Sequence, residues 1–167
     1  MRTVPSTPVP SSVEVSERMK RQARTHTRPE LALRRLLHAR GLRYRVGLKV
    51  PGLPRRSIDI AFTRVRVAVF VDGCFWHGCP VHATWPAANA EWWAAKINKN
   101  RERDVLTTAH LVELGWEVVR VWEHESPVDA AQRVELAVLG RREQSRTAAA
   151  STLPAILEQG QPSQSSD

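Results

Sequence analysis

Acidic side chains are in short supply: 17 Asp and Glu stand against 25 Lys and Arg, for a net charge of +8 and a pI of about 10.7. A surplus of that size favours a polyanionic partner. Cysteine is scarcer still, with two in 167 residues. In a reducing compartment such a pair reads better as metal ligands or buried thiols than as a disulfide. No apolar run approaches the roughly 20 residues that a membrane-spanning helix needs. The opening "MRTVPSTPVPSSVEV" has no apolar signal core, so the expectation is a cytosolic protein without membrane contact. No internal repeat is visible.

What is present is one domain's worth of chain, with an ordinary apolar fraction of 42% and length enough to bury a core. The positive charge is localised. Between positions 16 and 66 there are fifteen Lys/Arg and three acids, a local +12, which leaves the rest of the chain at −4. An even sprinkling of charge would suit a solvated surface; a one-sided block suits phosphates. Residues 1–15 and 141–167 are Pro/Ser/Thr- or Ala/Gln/Ser-rich and are expected to be disordered tails around a structured unit at 16–140.

Within that unit "SERMKRQART" reads as a short basic helix with Ser16 as its cap. "RPELALRRLLHARG" reads as a second, with Pro29 in its first turn, Gly41 past its end and Leu33, Leu36 and Leu37 as its buried stripe. "YRVGLKV" and "RSIDIAF" are predicted strands separated by the turn "PGLP". "RVRVAVFVDG" turns continuously apolar, the pattern of a strand entering a sheet centre. A long helix "EWWAAKINKNRERDVLTTAHLVELG", a buried strand "WEVVRVWEH" carrying Trp116 and Trp122, and a closing helix "PVDAAQRVELAVLG" complete an α/β order: a central mixed sheet flanked by helices.

Two features carry chemistry. Asp59 sits between two isoleucines of a predicted strand. It is either a solvated strand-edge aspartate or a carboxylate held for a purpose, because burial without a partner costs several kcal/mol or raises its pKa. A bound Mg²⁺ would resolve that cost. The second feature is "DGCFWHGCPVH" at 72–82, which offers Cys74, His77, Cys79 and His82 spaced C-x₂-H-x-C-x₂-H. With His124 of "VWEHE", five candidates compete for the four positions of a tetrahedral zinc. Either His82 joins the thiolates and His77 stays free as a general base, or His77 is the ligand and His82 is surface. Phe75 and Trp76 of the same loop are a wedge for a base stack or part of the core.

Taken in order, "RPELALRRLL", "RSIDIAF", "VAVFVDGCFWHGCP", "WWAAKINKNRERD" and "LGWEVVRVWEHE" closely resemble the very short patch repair (Vsr) mismatch endonucleases, over about residues 16–126. The resemblance implies a restriction-endonuclease-like core with a structural zinc site. It implies an enzyme that nicks double-stranded DNA 5′ to the thymine of a T·G mismatch left by 5-methylcytosine deamination, by Mg²⁺-dependent phosphodiester hydrolysis. Asp59 matches the metal-binding aspartate, and Val71 the position whose backbone carbonyl also reaches that Mg²⁺. His77 matches the base or proton relay, and Glu30 and Asp104 match acidic residues that support the site. Phe75, Trp76 and Trp93 match the aromatics that enter beside the mismatch.

The best-known version of the zinc site uses more cysteine; here Cys74, Cys79, His82 and His124 form the expected Zn²⁺ set. Asp72 replaces a histidine found in some relatives. Arg18, Lys20, Arg21 and Arg24 of the first helix, with Lys96 and Asn100 of the long helix, are the expected DNA contacts. Mismatch-repair proteins are the further partners implied, and the enzyme is expected to be a monomer, associated with the nucleoid when on DNA. The rivals are a restriction-type or general nuclease on the same fold and a non-catalytic zinc-stabilised DNA-binding module.

Overall fold

The computed structural model describes residues 27–152, apart from positions 83, 85, 86 and 88. The basic helix at "SERMKRQART", the expected tail at 1–15 and residues 153–167 therefore lie outside the described residues. Helix α1 (Arg28–Ala39) has its proline in the first turn, where the missing N–H goes unused, and buries Glu30, Leu33 and Leu37. Strands β1 (Arg45–Val50) and β2 (Leu53–Phe62) form an antiparallel pair, and β3 (Val67–Asp72) adds antiparallel to β2. β4 (Glu117–Trp122) lies parallel to β3 at the end of the order β1-β2-β3-β4. A parallel pair needs a crossover; here it is a long loop and helix α2 (Ala90–Glu113). Helix α3 (Pro127–Thr152) closes the described chain.

Period-two alternation in the strands sends side chains to opposite faces. Val67 and Val69 of β3, with Val119 and Val121 of β4, join Leu33, Leu37 and the α3 residues Ala131, Val134 and Val138 in one buried cluster. Ala68 and Phe70 face the other way, into a second cluster with Ile58, Ala61 and Leu111 of α2. The sheet is thus mixed and helix-covered on both faces, as the apolar run through β3 requires.

Two boundaries and one burial differ from the sequence reading. β2 begins at Leu53, so only Pro51 and Gly52 make the turn; Gly52 supplies the φ of +78° that a two-residue connection demands. α3 does not stop at Gly140 but continues to Thr152, so 141–152, expected as tail, is helical. Arg141 ties that extension to the body by donating from Nε to Val65 O at 3.1 Å, and the Ala-rich stretch beyond it has high helix propensity. Trp122, expected in the core, is half-buried at the end of β4, with its ring stacked at 6.3 Å on His124. Trp116 packs against the second cluster. No helix among the described residues is long and apolar enough to cross a membrane.

Candidate active site and metal centre

The same alternation that builds the core positions the polar residues. Asp59 shares the α2-facing side of β2 with Ala61, Asp72 continues the side of Ala68 and Phe70, and Arg120 continues that of Val118. These three line a cleft of about 270 Å³ together with Val71 and His77, and α2 closes it with Arg103, Asp104 and Thr107.

Asp59 is half-buried, and its Oδ2 accepts the Val71 N–H at 2.8 Å. Burial pushes its carboxyl up to about 6; the Val71 N–H works against that rise, and the nearby Glu30 and Asp72 charges add to it. A carboxylate this strained, among like charges, is a ready ligand for a hard cation. Glu30 is 5% exposed, does not line the cleft, and acts on Asp59 through its charge. His77 Nδ1 lies 2.5 Å from Asp104 Oδ2 and 3.6 Å from Asp72 Oδ1. Burial opposes ionisation of Asp104, but the His77 ring and Arg120 outweigh it and hold the carboxyl below its usual range. With Nδ1 bonded to a carboxylate, the neutral ring keeps its lone pair on Nε2, free to accept a proton. The ligand atoms of Asp72, His77 and Asp104 also converge within 4.8 Å of one another.

The second cluster is Cys74, Cys79, His82 and His124, whose ligand atoms again all lie within 4.8 Å. Cys74 Sγ is 3.0 Å from His124 Nδ1, and Cys79 Sγ is 3.7 Å from His124 Nδ1 and 4.0 Å from His82 Nδ1. Ligands of a tetrahedral zinc stand roughly 3.3–3.8 Å apart, given bonds of about 2.0–2.3 Å; the spacings of 3.0, 3.7 and 4.0 Å straddle that range, and two thiols with two imidazoles are a donor set for that ion. His77 is turned to the other cluster. Burial and the neighbouring Cys79 push the Cys74 thiol up to about 11. Burial also opposes ionisation of Cys79, yet the N–H groups of Val81 and His82 hold that thiol below its usual range. The loop closes on itself through Cys79 N–H to Cys74 O at 2.8 Å, and onto the residue after β4 through Cys74 N–H to Glu123 Oε1 at 2.6 Å.

Phe75, Trp76 and Trp93 pack edge-on against one another, with centroids 5.2–6.1 Å apart. All three are half-buried and belong to neither apolar cluster. Helix α2 grips the loop from beneath: Asn100 Nδ2 donates to Trp76 O at 3.0 Å, and the Arg101 guanidinium donates to His77 O and Gly78 O. Gly78 has φ +61°, and a Cβ there would lie 2.5 Å from that guanidinium. Lys96 is exposed on the same helix. Arg18, Lys20, Arg21 and Arg24 lie outside the described residues.

The family model for the DNA mismatch endonuclease Vsr matches residues 11–82. The type II nicking enzyme V.NaeI of Lentzea aerocolonigenes is 43% identical over 129 residues, 76% of this chain and 78% of that protein. The DNA mismatch endonuclease Vsr of Escherichia coli is 40% identical over 111 residues, 65% of this chain and 68% of that one. The type II nicking enzyme V.XorIIP of Xanthomonas oryzae pv. oryzae is 44% identical over 103 residues, 60% and 72% of the two chains. The chain belongs to the Vsr endonuclease family. This Vsr endonuclease is therefore a DNA-cleaving enzyme, and the resemblance seen in its motifs holds across most of its length. Sequence reasoning missed Arg120, Arg56 and Thr107 in the cleft. The signal for Arg120 was available: an arginine inside the apolar "VVRVW" has the same anomaly as Asp59 inside "SIDIAF".

Proposed function

We propose that this Vsr endonuclease nicks duplex DNA 5′ to the thymine of a T·G mismatch, using Mg²⁺ held by Asp59 and the Val71 carbonyl, and a structural Zn²⁺ held by Cys74, Cys79, His82 and His124. The helix-covered mixed sheet, with its carboxylates at the ends of neighbouring strands, suits the restriction-endonuclease-like arrangement that the family resemblance implies. Mg²⁺ would supply charge neutralisation for the phosphate as negative charge grows on its leaving oxygen. The protein's own part is positional. His77 Nε2 takes a proton from the attacking water as the water oxygen bonds to phosphorus and the bond to the leaving oxygen breaks. Asp104 orients the ring and stabilises its positive charge.

One observation carries this reading: the proton acceptor His77 adjoins Phe75 and Trp76 in a single short loop. A base step opened by the aromatics thus presents its phosphate to the cleft. A mismatched step unstacks at lower cost than a paired one, so insertion itself discriminates. The test is to compare nicking of T·G, other mismatched and fully matched duplexes with Mg²⁺. The expected product is a single nick beside the thymine of the T·G duplex. Cutting of matched DNA on both strands would instead assign the chain to the restriction-type rival.

A further inference from the structure

Two carboxylates lie near the same ring nitrogen of His77: Asp104 Oδ2 at 2.5 Å and Asp72 Oδ1 at 3.6 Å. They approach from different elements, α2 and the end of β3, so each would fix the ring in a different orientation and aim Nε2 differently. Asp72 is only 5% exposed, and a buried carboxylate takes whatever donor it can reach. Arg120 removes it from the contest. Its Nε lies 2.6 Å from Asp72 Oδ2 and its Nη2 lies 2.7 Å from Oδ1, a two-point fork that uses both oxygens. The same Nη2 is 3.3 Å from Asp104 Oδ1, the oxygen that His77 does not use. The guanidinium is itself held in place 5.0 Å over the ring of Phe70, its register partner on β3.

We propose that Arg120 is a positioning residue for His77: by engaging Asp72 it leaves Asp104 as the partner of the ring, and by bridging to the far oxygen of Asp104 it fixes the plane of that carboxylate. The proposal rests on His77 being the proton acceptor. It explains why a strand of apolar residues carries an arginine into the cleft, and why Asp72 is tolerated beside Asp59 and Asp104. It also makes Asp72 and Arg120 a unit in which losing one member harms more than losing both.

The experiment measures single-turnover nicking and duplex affinity for the full chain and its R120M, R120K, D72N/R120M and H77A variants, with thermal melting as a check on folding. R120M is expected to slow nicking about tenfold to a hundredfold, the scale of a misplaced catalytic group, with affinity changed by less than about twofold. D72N/R120M, which lacks the competing charge, recovers most of that rate. R120K, a point charge without the fork, falls between wild type and R120M. Should R120M fail to fold, the intermediate rate of R120K and the largely recovered rate of the double variant carry the test. Wild-type nicking by R120M, a double variant as slow as H77A, or a loss that appears in affinity (the mark of a phosphate contact) would each overturn the proposal. If H77A itself nicks normally, the reading of His77 fails and this inference fails with it. Slow H77A beside unaffected Arg120 variants removes this inference alone.

Discussion

At the scale of single residues, the cleft holds a conflict between stability and chemistry, and it is concentrated on Asp59. Its carboxyl is pushed up to about 6 by burial and by the Glu30 and Asp72 charges, from an ordinary 3.8. An acid whose folded-state pKa is raised is easier to hold protonated in the fold than in the open chain. Its ionised form therefore opposes folding above pH 6, and the penalty shrinks as pH falls through 6 toward 3.8. Two pKa units correspond to about 3 kcal/mol. In the metal-free protein, Asp59→Asn should raise stability by up to about that amount at pH 8 and by markedly less at pH 5, because the amide still accepts the Val71 N–H. The same variant should lose Mg²⁺-supported nicking while still binding duplex DNA. Melting curves of both proteins at the two pH values provide the check. An equal gain at pH 5 and pH 8 would mean that the Asp59 charge is not what strains the fold.

At the scale of elements, residues 73–82 after β3 have little apolar material of their own to hold a shape. Their buried apolar side chains are the two small cysteines, so much of their order must come from elsewhere. Helix α2 supplies some through Asn100 and Arg101. The proposed zinc ion, held by the four converging sulfur and nitrogen atoms, would supply the rest, since binding free energy at such a site is folding free energy. His124→Ala, or a strong chelator, should therefore lower the melting temperature by several degrees and change the fluorescence of Trp76 and Trp93 before the sheet itself melts. An unchanged melting curve after verified zinc removal would count against a structural ion. Much of this was legible in the sequence. The C-x₂-H-x-C-x₂-H spacing and the carboxylate between isoleucines marked both clusters, and apolar runs bounded by turn residues marked the described strands. The choice between His77 and His82 was not legible from spacing, because it depends on α2 bringing Asp104 to one histidine and β4 bringing His124 to the other. The end of α3 was hidden for a related reason: Gly140 reads as a stop, but it faces open space, and Arg141 anchors the helix beyond it.

At the scale of the whole molecule, the charge surplus becomes a binding surface only where the fold gathers it. Arg55 and Arg56 of β2 and Arg103 of α2 line the same cleft as Asp59, His77 and Asp104. A duplex phosphate entering it meets these guanidiniums beside the acids, which would otherwise repel it. Arg56 is partly committed inward, donating from Nη1 to Thr107 Oγ1 at 2.8 Å, whereas Arg55 and Arg103 are exposed. Contacts to phosphate carry no sequence information and act by releasing condensed counterions. Arg55→Ala and Arg103→Ala should therefore each weaken binding of matched and mismatched duplexes alike. Each should also flatten the slope of log affinity against log salt by about 0.9, the increment for one phosphate contact. The proposed mismatch preference should stay within about twofold of wild type, because phosphate contacts carry no sequence information. Titrations of both duplexes across a salt series measure slope and preference together. A variant that changes the preference but leaves the slope untouched would place its arginine at a base rather than at the backbone.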